Sequence, residues 1–207
     1  STIDVKLGKD LKTETITATG KDGKDGKIGI NGKDGVTTNI SVTRDGKPGV
    51  DGAAGTTTTR IVYQKPDGTN EEVANLNDGM LYGGDTGNVI KKKLNNQVNV
   101  KGGISDESKL ATEDNIGVVS DGSDTLKLRL AKELKGLTSA TFTNGGNNTV
   151  INGDGMTITP DNGNKVSLTK DGLNNGGNKI TNVADGTDPN DAVNKSQLDK
   201  AAAAAST

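Results

Sequence analysis

Gly176-Gly-Asn-Lys-Ile-Thr-Asn-Val-Ala-Asp-Gly-Thr-Asp-Pro-Asn-Asp-Ala-Val-Asn-Lys-Ser-Gln-Leu198 changes character halfway along. Up to Thr187 it reads as short extended segments broken by glycine, and from Asp188 it reads as the start of a helix. Asp188 is a good N-cap, and Pro189 suits the first helical position because its missing N–H has no partner to lose there. Asp191 puts an acid in the first turn, where the helix dipole favours it. Beyond Leu198 the chain runs through Asp-Lys into five alanines, which favour helix. A helix that can bury only Val193, Leu198 and alanines is marginal alone, and makes sense if identical helices pack against it.

The rest of the chain shares this shortage of apolar mass. Of 207 residues 29% are hydrophobic, and Phe142, Tyr63 and Tyr82 are the whole aromatic supply. A monomeric globule of this length normally fills its centre with more large side chains. Either much of the chain is disordered, or the core is long, thin and shared between subunits. Disorder usually joins low hydrophobicity to high net charge, and the net charge is only -2, which favours the shared core. Abundant Gly, Asn and Thr, with many Asp-Gly pairs, point to frequent turns between short strands.

Ser1 to Thr19 alternates in places and reads as one or two short strands. From Gly20 to Gly35 glycine falls at every third position, and the period returns over Gly46, Gly49, Gly52 and Gly55. That is the spacing a collagen triple helix needs at its axis. Asp-Gly turns between short strands explain it too, and the broken phase and the single Pro48 within the runs lean that way. Val36–Arg44 alternates like a strand. Arg60–Gln64 and Glu71–Leu76 read as a hairpin around Pro66-Asp-Gly68, followed by Met80–Tyr82. Val89–Leu94, with Lys91-Lys-Lys93, reads as a short helical turn, and Gln97–Lys101 as a strand. Leu126, Leu128 and Leu130 alternate with Lys127 and Arg129, the pattern of a half-buried strand after Ile116–Val119. Ala131–Gly136 reads as one helical turn with a glycine cap. Thr149–Ile151, Met156–Ile158 and Val166–Leu168, each followed by Asn, Asp or Gly, suggest small stacked turns or a meander.

Reactive chemistry is sparse. There is no cysteine and no histidine, so disulfides, thiolate sites and the usual general base are excluded. No Asp-Gly loop has the ligand spacing of an EF-hand, and Gly83-Gly-Asp-Thr-Gly87 lacks the tandem repeats of a calcium β-roll. Acids sit in turns beside lysines without aromatics to stack a sugar, so paired-carboxylate glycoside hydrolysis is disfavoured. No glycine-rich loop has a phosphate-cradle context, and the near-neutral charge gives no reason to invoke nucleic acid. No stretch of about 18 apolar residues exists. We expect no enzyme activity, no catalytic residues, no cofactor and no metal.

Ile180-Thr-Asn-Val183, Asp191-Ala-Val-Asn194 and Ser196-Gln-Leu198 resemble the neck motif of trimeric autotransporter adhesins, which joins a wide β head to a three-stranded coiled coil. A common variant of that motif is apolar where this chain has Lys195. Arg60-Ile-Val-Tyr63, Leu76-Asn-Asp-Gly79, Lys92-Lys-Leu94, Asn115-Ile-Gly-Val118 and Leu130-Ala-Lys-Glu-Leu134 resemble the ring-like head of the same family, often called the Trp-ring, although this chain has no tryptophan. Asp171–Val183 resembles the β domain that commonly precedes a neck.

The resemblance implies a mainly β, elongated, intertwined homotrimer whose short C-terminal helix enters a coiled coil. It divides the chain into a Gly/Asp-rich β or collagen-like segment (1–59), a Trp-ring-like head (60–140), a pre-neck β domain (141–179), and the neck with the start of the coil (180–200). Residues 201–207 form an alanine-rich end whose origin the sequence leaves open. Trimerisation is implied for Ile180, Asn182, Val183, Asp191, Ala192, Val193, Gln197 and Leu198, while receptor-binding residues are unassigned. The implied function is multivalent, non-covalent attachment of a bacterial surface passenger to host receptors or extracellular matrix, with the carcinoembryonic-antigen-related adhesion molecules among the candidates. Family members carry a signal peptide and a C-terminal membrane barrel, neither of which is in this stretch, so the resemblance makes it a passenger segment at the cell surface or outer membrane. A phage tail fibre, a stalk spacer without a receptor, and an enzyme on a β scaffold are the rival readings.

Overall fold

The computed structural model describes residues 1–22, 26–30 and 38–206. The chain is mainly β with a short C-terminal helix, and it divides into two compact units, Ser1–Gly102 and Gly103–Thr207.

In the first unit, β1 (Lys27–Ile30), β2 (Thr38–Gly46), β3 (Thr58–Gln64) and β4 (Asn70–Glu72) form one antiparallel sheet in chain order. The β3–β4 turn is the expected one: Gly68 N–H donates to the Lys65 carbonyl at 2.9 Å, and Lys65 N–H to that of Thr69 at 2.7 Å. β5 (Gly79–Tyr82) pairs with β6 (Ile90–Lys93). The expected helical turn at 89–94 is thus a strand. Each lysine of β6 faces a β5 residue across the ladder, and that pairing overrides the helix preference of a lysine run. Gln97–Lys101 makes no strand, and Ser1–Thr19 makes none either.

The second glycine period is made of turns. Gly52 N–H donates to the Gly49 carbonyl at 2.9 Å, Thr56 N–H to that of Ala53 at 3.2 Å, and Gly55 has φ +80°. A triple helix has no hydrogen bonds within a chain and holds every φ near that of polyproline, so these residues exclude it. In the first period, Gly29 lies in β1 opposite Asn39, while Gly23, Gly32 and Gly35 fall outside the described residues, as do Val36 and Thr37.

In the second unit, β7 (Ile116–Ser120) and β8 (Leu126–Leu130) form a two-stranded ribbon. β9 (Ser139–Asn144), β10 (Asn147–Asn152), β11 (Gly155–Thr159), β12 (Val166–Thr169) and β13 (Gly172–Asn174) form an antiparallel meander, one of the two arrangements the spacing suggested. Residues 131–136 are not helical. The Asn115 side chain claims their backbone instead. It donates to the Lys135 carbonyl and accepts from Lys135 N–H, both at 2.9 Å, while Ala131 N–H donates to the Asn115 carbonyl at 2.8 Å.

The helix, α1 (Lys195–Ala205), starts later than Asp188 and Pro189 suggested. Two side chains decide the start. Asp191 turns back and accepts from Thr187 N–H at 3.0 Å and Asp188 N–H at 2.9 Å, closing a loop rather than a first helical turn. Asn194 then caps the helix in a reciprocal capping box with Gln197. No described helix is long and apolar enough to cross a membrane.

Candidate assembly interface

Apolar residues recur at alternate positions along most of these strands, and the three larger pairings each leave an apolar face bare. Directly opposed residues of an antiparallel ladder share a face. In the meander, Ala140, Ile151, Met156, Leu168 and Leu173 stand in one row, beside Phe142, Thr149, Ile158 and Val166 in the next. Phe142, Ile151, Met156, Leu168 and Leu173 are all exposed. In the ribbon, Ile116, Val118, Leu126, Leu128 and Leu130 share a face, and Leu128 is 71% exposed. The leucine alternation does mark a strand, but within one chain that strand is not half-buried. The first sheet repeats the pattern, with Ile28, Ile30, Ile40, Val42, Ile61 and Tyr63 on one exposed face.

Val62, at 2%, is the one buried hydrophobic residue among those described. The chain exposes 18457 Å², whereas a monomeric globule of its mass exposes about 9,000 Å². An isolated two-stranded ribbon is marginal in water, and a bare apolar sheet face gains nothing from folding alone.

The opposite face of the first sheet is covered by its own chain, around a charge. Arg60, 4% exposed, meets Asp78 bidentately (Nη2–Oδ1 2.6 Å), and its Nε–H donates to the Lys47 carbonyl at 2.6 Å. Glu72 lies 3.8 Å from Arg60 Nε and accepts from Lys47 N–H at 2.9 Å. Asp78 also accepts from Asn75 N–H at 2.8 Å. The Arg60 hydrogen bonds, followed by the one from Asn75, hold the Asp78 carboxyl down to about 2. This hub ties Lys47, Val73 and Asp78 to β3, where Val62 shares the face of Arg60. A Cβ at Gly46 would come within 2.7 Å of the Arg60 side chain.

At the neck, polar side chains set the chain path and leave the apolar ones facing out. Gln197 pairs with the backbone of Gly186 in both directions, at 2.9 and 3.0 Å. Asn194 donates to the Val183 carbonyl at 3.0 Å and to Asp185 at 2.7 Å. A Cβ at Gly186 would reach the Ala192 carbonyl at 2.6 Å, so the two passes of chain meet where only glycine fits. Asn182 adopts φ 61°, a left-handed conformation that asparagine tolerates better than most residues. N–H groups of Asp188 and Thr187 hold the Asp191 carboxyl below its usual value. Of the residues singled out from sequence, Asp191, Gln197, Asn182 and Val183 belong to this scaffold. Ile180, Val193 and Leu198 stay exposed, and Ala192 supplies the carbonyl against Gly186. The structure adds Asn194 and Gly186, and the spacing Asn194-x-x-Gln197 was the legible sign of the cap.

Among the described residues no cluster of His, Cys, Asp or Glu could hold a metal ion.

Residues 179–207, which take in the whole of the 180–200 stretch and the helix, match the family described as "Coiled stalk of trimeric autotransporter adhesin". The curated protein "Trimeric autotransporter adhesin AtaA" of Acinetobacter sp. (strain Tol 5) is 34% identical over 142 residues, 63% of this chain. Both matches are to trimeric autotransporter adhesins. The chain spans only 4% of the length of that AtaA relative. Two solved adhesin structures are also similar. N-terminal domain 1 of VompD from Bartonella quintana is 25% identical, covering 60% of this chain and 99% of that one at a TM-score of 0.37. The C-terminal stalk of Acinetobacter sp. Tol 5 AtaA, fused to GCN4 adaptors, is 31% identical, covering 48% of this chain and 32% of that one at a TM-score of 0.27. At such scores the superpositions carry no weight for the architecture.

Proposed function

We propose that three copies of this chain assemble through the bare apolar faces and the neck, and that the trimer is an attachment segment displayed at the bacterial cell surface. The carrying observation is the set of exposed apolar faces beside a single buried hydrophobic residue among those described. Threefold packing gives Phe142, Ile151, Met156, Leu168 and Leu173 a dry interior. It also gives Leu198, Ala202 and Ala205, which follow one another at helical spacing, a partner face on two other helices. The spans 60–140 and 141–179 are then a head and a pre-neck domain of the assembled protein, and Ile180, Val193 and Leu198 are trimer contacts at the neck.

The attachment is non-covalent and made three times over, so weak single contacts add up to high avidity. The names of the relatives speak of adhesion and a stalk, not of turnover. A host receptor or matrix protein is the partner class that the resemblance suggests, and no residue of this chain selects a particular one. Light scattering coupled to size exclusion tests the assembly. The expected particle has about three times the 21.2 kDa chain mass, and a stable folded monomer overturns the reading. Attachment of that trimer to host cells or matrix-coated surfaces tests the function, and a trimer that adheres to nothing is a spacer.

A further inference from the structure

The helix starts beyond Asp188-Pro189, which leaves that pair in an exposed turn. It is the only Asp-Pro pair in the chain, since the other three prolines follow Lys47, Lys65 and Thr159. The bond between an aspartate and a following proline is the most acid-labile of ordinary peptide bonds. The aspartate carboxyl reaches its own main-chain carbonyl through a five-membered ring. The proline nitrogen belongs to a tertiary amide, so it takes up a proton and leaves more readily than a secondary one.

This bond is held in a fixed turn. Asp191 N–H donates to the Asp188 carbonyl at 3.0 Å, with Pro189 at the second position of the turn, where its ring-fixed φ fits. Asp188 N–H and Thr187 N–H donate in return to the Asp191 carboxylate at 2.9 and 3.0 Å. Asp191 thus grips Asp188 by both its N–H and its carbonyl. The Asp188 carboxyl itself has no hydrogen bond or ion pair among the described residues, and Asp188, Pro189 and Asn190 are all exposed.

We propose that the Asp188–Pro189 bond is a self-cleavage point that opens in acid and cuts the covalent link between the strands and the C-terminal helix. The Asp188 carboxyl oxygen attacks the Asp188 carbonyl carbon and closes a cyclic anhydride. The carboxyl proton passes to the Pro189 nitrogen, and the C–N bond breaks with its electron pair on nitrogen. Water then opens the anhydride. The products are a chain ending in Asp188 and a chain starting with the secondary amine of Pro189, with nothing oxidised or reduced. The Asp191 N–H sits on the oxygen that carries negative charge in the tetrahedral intermediate, where a fixed donor lowers the barrier. The turn also holds the carbonyl still while the unengaged carboxyl comes up to it.

The turn outlasts the acid that the step needs. The N–H groups of Asp188 and Thr187 hold the Asp191 carboxyl below its usual value, so its bonds persist at a pH where an ordinary carboxylate has taken up a proton. Asp191 is the titratable group in contact with Asp188; Asp185 is engaged by Asn194 and Lys195 by Asp199, each at 2.7 Å. After the cut, Gln197 still bridges Gly186 and Asn194 still bonds Val183, so the two pieces part only when those contacts fail. The step lies within one chain and stands whether or not three copies assemble.

The test holds the whole chain at the most acidic pH at which circular dichroism shows it folded, beside the same chain unfolded in guanidinium chloride at that pH. Intact mass and N-terminal sequencing read the products. The expected result is a fragment ending at Asp188 and one starting at Pro189, formed roughly tenfold or more faster from the folded chain than from the unfolded one. Asp188→Glu lengthens the attacking arm by one methylene and leaves both backbone bonds to Asp191 in place, and should slow the cut roughly tenfold or more. Asp191→Asn, which weakens the grip on Asp188, should bring the folded rate down toward the unfolded one. No cut at this bond, a cut no faster in the folded chain than in the unfolded one, or wild-type rates in Asp188→Glu or Asp191→Asn overturns the proposal.

Discussion

The sheet of the first unit and the meander of the second use the same strand grammar with opposite outcomes. Each alternates apolar and polar residues, and each bares an apolar face. On its other side the first sheet also buries Val62 and Arg60, the latter within a hub with Asp78 and Glu72. The meander has no such hub, and none of its side chains is fully buried. The first unit therefore holds part of its structure by charge and hydrogen bonds available in a single chain. On the proposed assembly, the meander depends on what other copies bring.

The sharpest way to break this contrast is Leu168→Asp. A carboxylate in the middle of the meander's apolar face cannot enter a dry interior. We expect loss of the trimer by light scattering and loss of amide protection throughout β9 to β13. Survival of the trimer would show that this face is not the interface.

Arg60→Ala should act in the other region. It leaves Asp78 and Glu72 facing each other without the cation between them, and amide protection in β2 and β3 should fall roughly tenfold or more while the meander is spared. The same hub gives the first unit a pH signature. Asp78 is depressed to about 2 in the folded chain, so its contribution is complete above the ordinary carboxylate value and is lost as pH falls toward 2. Thermal melting of wild type between pH 5 and pH 2, roughly the window set by that shift, should show an acid destabilisation that Arg60→Ala lacks. An identical pH dependence in the two proteins would rule out the hub as its source.

The smallest expected effect is at the neck. Asn194→Ala removes the cap of α1 and the ties to Val183 and Asp185, and the cap alone is worth about 1 kcal/mol. Circular dichroism should show a lower melting temperature with the trimer retained. Loss of the trimer would make the neck the main source of assembly.

The strands were legible where alternation was strong and turns were explicit. Arg60–Gln64, the Asp67-Gly68 turn, Leu126–Leu130 and the segments from Thr149 to Leu168 all form the elements their patterns suggested. Weak periods misled. Ser1–Thr19 and Gln97–Lys101 alternate too briefly to hold strands without a partner in the ladder, and Val89–Leu94 is a strand only because β5 lies beside it. The helix start was misplaced because Asp188-Pro189 and Asn194 are both good caps. The choice fell to the carboxylate of Asp191, which bonds backward. The Arg60 hub left almost no local sign, since its partners lie 12 and 18 positions away along the chain.

By itself the sequence determined that this is a turn-rich β chain with too little apolar mass for a private core, with a capped helix and a stretch that resembles an adhesin neck. Those properties are local, or are sums over composition, and survive without knowledge of what touches what. The tertiary structure decided which side of each sheet is bare, that a buried arginine organises the first unit, and where the neck turns into helix. These depend on register and on contacts between distant residues. A one-residue slip would turn every side chain to the other face. In the neck the same holds on a smaller scale: Asp191, Asn194 and Gln197 set the path, and Val193 and Leu198 are left outward for a partner.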